Sequence, residues 1–338
     1  MSNPMNIQIA ILTHIPDGQI HKPPRIAEKT YHYLKHILKV DYPITIVCNT
    51  EEDKSRLEVF GQGGIDILGS LTNANIVVSG YEGLNGNRNY VRNNLFPHGT
   101  KVIMMDDDVD YISEVLEATH DEPRKMEEII TKSRFEFHME RIFTYMTNTS
   151  INSGRKIRFC GTSAVSNAFY ISDNEFSSNL LFCAGPLQFL EIDNSEVIMF
   201  KGIEELEDSL WTMIEYVRHR GEGLRANWIV PKTKWYDPKG GMSGSEEKFE
   251  ERRANAEKNA QLICQGNRKG LCAIKSKKVR GKPFANLRMK HHNQFDTYPA
   301  ETTEQLLNHY FSDLKEKGKM EWHMASNMPA HMLVNQAP

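Results

Sequence analysis

The first third of the chain alternates between apolar runs of strand length and polar stretches with helical spacing. Asn6–Thr13 (NIQIAILT), Tyr42–Cys48 (YPITIVC), Ala74–Ser79 (ANIVVS) and Lys101–Met105 (KVIMM) read as core strands. Between them, Arg25–Lys39 carries Ile26, Leu34, Ile37 and Leu38 near helical spacing, and Ser55–Phe60 reads as a short helix. Strand-then-helix alternation predicts an α/β fold with a mostly parallel central sheet flanked by helices. Further on, Arg124–Met146 has a long helical pattern, and Ile157–Ile171 and Asn179–Ile192 suit strands and loops over the core. Ile203–Arg220 is expected to be a helix with Leu206, Leu210, Met213, Ile214 and Val217 on one face. Trp228–Val230 reads as a short strand and Lys239–Ser245 as a glycine-rich loop. Glu246–Cys264 and Thr302–Lys317 read as helices, the second stopped by Gly318. The tail after Lys319 reads as loose. The expected division is a main α/β domain over 1–240 and an extension over 241–338, made of a glycine-rich loop, a charged helix and a basic segment.

Composition narrows the class. At 338 residues, with 25% charged and 39% hydrophobic positions, the chain has the make-up of a soluble globular protein. Met1–Ala10 shows no basic leader followed by an apolar core, and no apolar run approaches the roughly 18 residues of a membrane span. The five cysteines are scattered without a CxxC pair, which points to free thiols in a reducing cytoplasm. A net charge of −3 argues against an indiscriminate nucleic-acid coat, while leaving room for local basic patches.

The strongest chemical signal is Lys101–Asp110 (KVIMMDDDVD), where a core strand empties into four carboxylates within five positions. Such carboxylates repel one another unless a divalent cation, often one also holding a phosphate, sits among them. Side chains alternate along an extended chain, so Asp106 and Asp108 are expected to point the same way and to share one metal ion or its ligand. A calcium loop of the EF-hand kind partly fits, with Asp106, Asp108, Asp110 and Glu117 at ligand positions. Tyr111 stands where that loop needs Gly, and a strand rather than a helix precedes it. A phosphatase-type aspartyl nucleophile usually follows the first strand of its domain. A polymerase-β-like site needs Gly-Ser closer than Gly69-Ser70. An acidic turn capping a strand is the bland alternative. The best remaining fit is the Asp-x-Asp of a nucleotide-sugar transferase, in which Mn²⁺ or Mg²⁺ neutralises the leaving diphosphate.

Other segments add candidates. Gly83–Asn94 (GLNGNRNYVRNN) reads as a glycine-rich basic loop whose Arg88 and Arg92 suit a phosphate or nucleotide edge, or merely a solvated surface. Glu204–Asp208 (EELED) opens a helix, where acids are favoured by the dipole in any case. The functional reading makes Asp208, with Glu207 second, the general base for an acceptor hydroxyl. Lys234 and Lys239 flank a lid-like loop with aromatics and glycines. From Gly266 to His292 there are nine Lys/Arg and no acid (Arg268, Lys269, Lys275, Lys277, Lys278, Arg280, Lys282, Arg288, Lys290), which makes a candidate nucleic-acid surface. His291 and His292 are weak candidates for reaching a metal.

Taken in order, Arg92-Asn93, the strand into Asp106-Asp107-Asp108 and the later Glu207-Asp208 resemble inverting nucleotide-sugar glycosyltransferases of the GT-A fold, over about residues 6–240. The resemblance implies that Asp106, with Asp107 beside it, meets the nucleoside moiety, Asp108 the metal and Asp208 the acceptor. Val91 replaces the family's Ala before Arg-Asn, and no C-terminal metal-binding histidine is evident. The Met-Met-Asp-Asp-Asp-Val-Asp string is also similar to phage-encoded TET-associated glycosyltransferases. That likeness implies a hydroxymethylpyrimidine acceptor in duplex DNA and a host cytoplasm. The expectation is a metal-dependent transferase using a nucleoside-diphosphate sugar, such as a UDP-sugar. The rivals are a nucleotidyltransferase on the same acids and a non-catalytic DNA-binding module.

Overall fold

The computed structural model describes residues 5–13, 25–62, 71, 74–233, 245–267, 269–290 and 302–324. The four apolar runs form β1 (Ile7–Leu12), β2 (Ile44–Cys48), β3 (Asn75–Val78) and β4 (Lys101–Asp106), paired in parallel in the order β3-β2-β1-β4. Parallel neighbours need a crossover, and helical segments supply it each time. The first covers 25–37 and ends in the π-helical turn Tyr33–Ile37. The second is helix Glu51–Gln62. The third is helix Gly83–Tyr90, which runs into the π-helical turn Val91–Leu95. The expected basic loop over 83–94 is therefore helical. Its asparagines accept the helix because their side chains bond across it to other elements, as described below.

Beyond β4, β5 (Tyr111–Leu116) and β6 (Lys125–Glu128) form an antiparallel ladder, and helix Lys132–Ser153 follows. The helix expected over 124–146 thus starts later: Thr131 caps it, and the residues before the cap extend β5 instead. The main sheet grows on the β4 side through β7 (Phe159–Thr162), β8 (Phe176–Ser177), β9 (Leu187–Glu191) and, past β10 (Glu196–Phe200), β11 (Arg225–Ala226). Its full order is β3-β2-β1-β4-β9-β7-β11-β8. β9 is antiparallel to both β4 and β7, so β7 runs with β4 and their carboxyl ends share one edge. Register makes this concrete: Met104 lies beside Gln188, and Gln188 beside Gly161.

Alternate residues of the parallel strands serve two layers. Ile9, Ile11, Ile46, Ile103 and Met105 pack with Phe135, Met139, Ile142 and Phe143 of helix Lys132–Ser153. Ala10, Leu12, Val47, Val102 and Met104 pack with Val91, Phe96 and Leu190 on the other side.

The remaining strands are β12 (Ile229–Lys232), paired with β5, the hairpin β13 (Cys272–Val279) with β14 (Lys282–Met289), and β15 (Met320–Met324), antiparallel to β10. The tail expected to be loose is a strand as far as Met324, because Met320 and Trp322 are buried against β10 and its neighbours. A second core joins Ile198, Phe200, Leu210, Trp211 and Ile214 to Ile263, Leu287, Leu307, Phe311 and Trp322, drawing on residues from both sides of position 240. Among the described residues no helix is long and apolar enough to cross a membrane.

Candidate functional site at the carboxyl edge of the sheet

The strand ends at this edge are stitched together by buried polar side chains. Thr13, just past β1, donates from Oγ1 to Asp107 Oδ2 at 2.7 Å, and Arg25 donates to Asp107 Oδ1 at 3.1 Å. Asn87 Nδ2 donates to the Thr13 carbonyl at 3.2 Å, and its Oδ1 accepts from Ser79 Oγ at 2.6 Å. Asn49, past β2, donates to the carbonyls of Tyr81 and Gly83 at 2.7 and 2.9 Å. Thr30 Oγ1 donates to the Asp106 carbonyl at 2.7 Å and accepts from the Val109 amide at 3.0 Å, which fixes the turn after β4. Each asparagine presents both a donor and an acceptor, which lets one side chain satisfy several chain ends.

Arg88 occupies the middle of this edge at 1% exposure. One arm of its guanidinium, Nη2, contacts both Asp106 oxygens at 2.8 and 3.0 Å, and the other, Nη1, donates to Glu207 Oε1. The planar fork thus joins two acidic segments about a hundred residues apart in sequence. Neighbouring carboxylates hold the guanidinium's pKa above its ordinary value although burial opposes them. Gly185 leaves room for it: a Cβ there would lie 2.7 Å from Nη2. The alternative of a solvated Arg88 fails, because the helix turns that side chain into the sheet edge.

The run Glu204–Asp208 is divided among several partners. Glu204 packs against Gly83 at the start of helix Gly83–Tyr90. Glu205 takes a two-armed ion pair from Arg252 at 2.5 and 3.0 Å, and its carbonyl accepts from Asn259 at 3.2 Å. Leu206 adopts a left-handed conformation (φ 67°), uncommon for a branched residue, and caps helix Glu207–Arg218. Glu207 and Asp208 open that helix. Burial pushes Glu207 up to about 8 and Asp208 up to about 6, with Arg88 opposing both. Asp208 Oδ1 accepts from the Ser209 amide at 2.7 Å. Among the described residues Asp208 makes no ion pair, unlike Glu205 and Glu207.

In the triple aspartate burial alternates, with Asp107 turned inward and Asp106 and Asp108 partly exposed. Asp106 is committed to Arg88 and Asp107 to Thr13 and Arg25. Among the described residues the ion-pair contact of Asp108 is a long one, 3.7 Å to Arg25, and burial together with Asp107 and Asp106 raises its pKa to about 7. Among the described residues no three His, Cys, Asp or Glu side chains form a group that could hold a metal by themselves. The calcium-loop geometry is absent: a strand enters at Asp106, another leaves at Tyr111, and Glu117 pairs with Arg124 at 3.1 Å.

Arg92 lies apart from this edge group. It is buried, stacks 3.8 Å over the Trp211 ring and donates to Gln188 at 2.6 Å, and burial lowers it to about 9. Lys234, Lys239, Arg268, His291 and His292 lie outside the described residues. Most of the rest of the basic segment is the β13–β14 hairpin, with Lys275, Lys278 and Arg288 exposed, Lys282 paired to Glu246 and Glu250, and Arg280 stacked on Phe249. Burial lowers Lys277, while Asp208 and Glu205 act in the opposite direction, so its ammonium sits within the field of the acidic run. Helix Glu246–Gly266 accounts for this placement, holding Glu205 through Arg252 and the hairpin through Phe249 against Phe284.

Thr13 and Arg25 escaped the sequence reading because their partners are distant in sequence, and Lys277 was read only as part of the basic segment. Phe169 and Tyr170, exposed at 82% and 72%, also escaped it. They follow β7, whose carboxyl end shares the Asp106 edge, on a short turn that Arg124 fastens through the Ile171 carbonyl at 2.7 Å. A concavity of about 580 Å³, lined by Lys101, Ser150, Arg155, Lys156 and Glu191, lies at the opposite edge of the sheet, by the first residue of β4. Comparison with protein-family models, curated proteins and solved structures found no match to this chain.

Proposed function

We propose that the protein is a metal-dependent glycosyltransferase of GT-A-like architecture. In this reading it moves a sugar from a nucleoside-diphosphate sugar, such as a UDP-sugar, to an acceptor hydroxyl. The observation that carries the reading is the Arg88 fork. It brings the acidic end of a parallel strand within reach of the acidic start of helix Glu207–Arg218, at the sheet edge where α/β folds bind ligands. Asp108 is the carboxylate suited to Mn²⁺ or Mg²⁺, since it is the aspartate of the three least neutralised by neighbours and is held unfavourably as an anion. A bound cation there would supply Lewis-acid neutralisation of the donor diphosphate.

The chain's own residues do the rest. Asp208 has a pKa raised towards neutrality, so it is ionised at pH 7 yet basic enough to accept the acceptor's hydroxyl proton. The acceptor oxygen attacks the anomeric carbon, the bond to the diphosphate oxygen breaks, and the nucleoside diphosphate leaves. Arg88 keeps Asp106 and Glu207 fixed so that Asp208 is presented in one orientation. The acceptor consistent with the exposed cations of the β13–β14 hairpin is a hydroxymethyl group on a base of duplex DNA, which projects into the major groove.

The test is a thermal-shift screen with Mn²⁺ against UDP, GDP, CDP and ATP, with and without chelator, followed by product analysis. Chelator-sensitive stabilisation by one diphosphate, with release of that diphosphate on turnover, is expected. Release of pyrophosphate from a triphosphate would make the protein a nucleotidyltransferase. Salt-sensitive DNA binding without any metal or nucleotide response would make it a binding module.

A further inference from the structure

Cys264 lies in the last turn of helix Glu246–Gly266, and Cys272 is the first residue of β13. Their Sγ atoms are 3.3 Å apart, in hydrogen-bonding contact. The two thiols differ in kind. Cys264 is partly exposed, whereas Cys272 is buried at 6%. The hydrogen bond from Cys272 pulls the Cys264 thiol below its ordinary pKa, with Lys290 adding to the effect, and the same bond raises Cys272. A partly exposed, acidified thiol touching a buried protonated one is the arrangement of an attacking and a resolving cysteine. Disulfide formation requires roughly 1 Å of approach between the sulfurs. Between the two cysteines the Gly270 amide donates to the Asn267 carbonyl at 3.1 Å, and the Lys290 amide donates to the Leu271 carbonyl at 2.7 Å.

We propose that Cys264 and Cys272 form a redox-active dithiol, oxidised by hydrogen peroxide to a disulfide that pins β13 to the end of helix Glu246–Gly266. The Cys264 thiolate attacks one peroxide oxygen, the O–O bond breaks, and a sulfenic acid and hydroxide form. Cys272 gives up its proton and its sulfur displaces hydroxide from the sulfenic sulfur. Two thiols lose two hydrogens and one peroxide becomes two waters. The disulfide ties the helix that anchors Glu205 through Arg252 to the strand that carries Lys277, so the redox state acts on the framework of the acidic run.

The experiment is hydrogen peroxide titration of the full chain, alkylation of remaining thiols in urea, and peptide mass mapping. The expected result is a Cys264–Cys272 cross-link reversed by dithiothreitol, with Cys48, Cys160 and Cys183 still alkylated. Those three are buried with raised pKa values and serve as internal controls. Cys272→Ser is expected to arrest the reaction at a Cys264 sulfenic acid trapped by dimedone. Amide exchange across 267–271 is expected to slow on oxidation. Oxygen addition at Cys264 with Cys272 still alkylated, a cross-link to another cysteine, or no reaction would each overturn the proposal. All these outcomes are read without reference to glycosyl transfer.

Discussion

Gly185→Ala tests how tightly the Arg88 fork is held. Gly185 is not among the residues with positive φ, so alanine brings no backbone strain there. Its Cβ would lie 2.7 Å from Arg88 Nη2, 3.0 Å from Nη1 and 3.1 Å from Cζ, against the 3.4 Å at which ordinary contact begins. An arginine tip in solvent would swing away at little cost. This one is 1% exposed and bound on both sides, by Asp106 at 2.8 and 3.0 Å and by Glu207. A shift large enough to clear the methyl group lengthens at least one of those bonds beyond hydrogen-bonding range. Overpacking of this kind costs about 1–3 kcal/mol, equivalent to a fall in Tm of roughly 1–4 °C in a chain of this size. Calorimetric melts of wild type, Gly185→Ala, Arg88→Lys and the double variant give the coupling directly. Lysine lacks the planar fork at the clash point, so the alanine is expected to cost less than half as much in the Arg88→Lys background. A change in wild type below about 0.5 kcal/mol, the level of an inert surface substitution, or equal costs in both backgrounds, would refute the tight fork.

The remaining predictions concern charge and packing. Asp108 has a folded-state pKa raised to about 7, so its ionisation costs stability that is intact below its unfolded value and lost as pH rises through 7. In metal-free buffer Asp108→Asn is therefore expected to melt above wild type at about pH 8, by up to about 4 kcal/mol, with the gap closing towards pH ~4. Mn²⁺ is expected to reverse the order, and a variant less stable than wild type at alkaline pH without metal would contradict the reasoning. Asp208→Asn is expected to lose at least ~10²-fold in turnover while diphosphate binding by thermal shift persists; unchanged turnover would remove the base from Asp208. His138 Nδ1 accepts from Trp228 Nε1 at 3.0 Å, so its Nε2 donates to Glu114 at 2.9 Å, and burial keeps the ring neutral by lowering its pKa. His138→Ala is expected to lower urea stability by about 2–4 kcal/mol, and a loss under about 0.5 kcal/mol would show that this buried chain is dispensable.

What was legible in the sequence depended on how local its cause was. The four parallel strands and the helices between most of them follow from apolar runs and spacing, which neighbouring residues alone determine. The helix over Gly83–Tyr90 was hidden because glycine and asparagine disfavour helices, and the compensating bonds of Asn87 run to Thr13 and Ser79. Strands β6 and β15 were hidden because their ladder partners, β5 and β10, impose the extended form on residues without a strand pattern. For the candidate site, the two acidic runs could be read directly, as could Arg88 and Arg92. Their different settings could not be: Arg88 in an ionic fork, Arg92 on a tryptophan face. That depends on which way a helix is rolled against the sheet.

The pairing of β10 with β15 means that the last described strand, Met320–Met324, lies against the segment immediately before the Glu204–Asp208 run. Asn89 and Asn93 grip the same segment from the other side, through the carbonyls of Phe200 at 3.1 Å and Ile198 at 3.0 Å. The segment that leads into the opposing carboxylates is thus braced by a strand more than two hundred residues beyond the aspartate-bearing one. Any scheme that splits, shortens or permutes this polypeptide must keep 320–324 together with 196–200, even though neither stretch belongs to the candidate site.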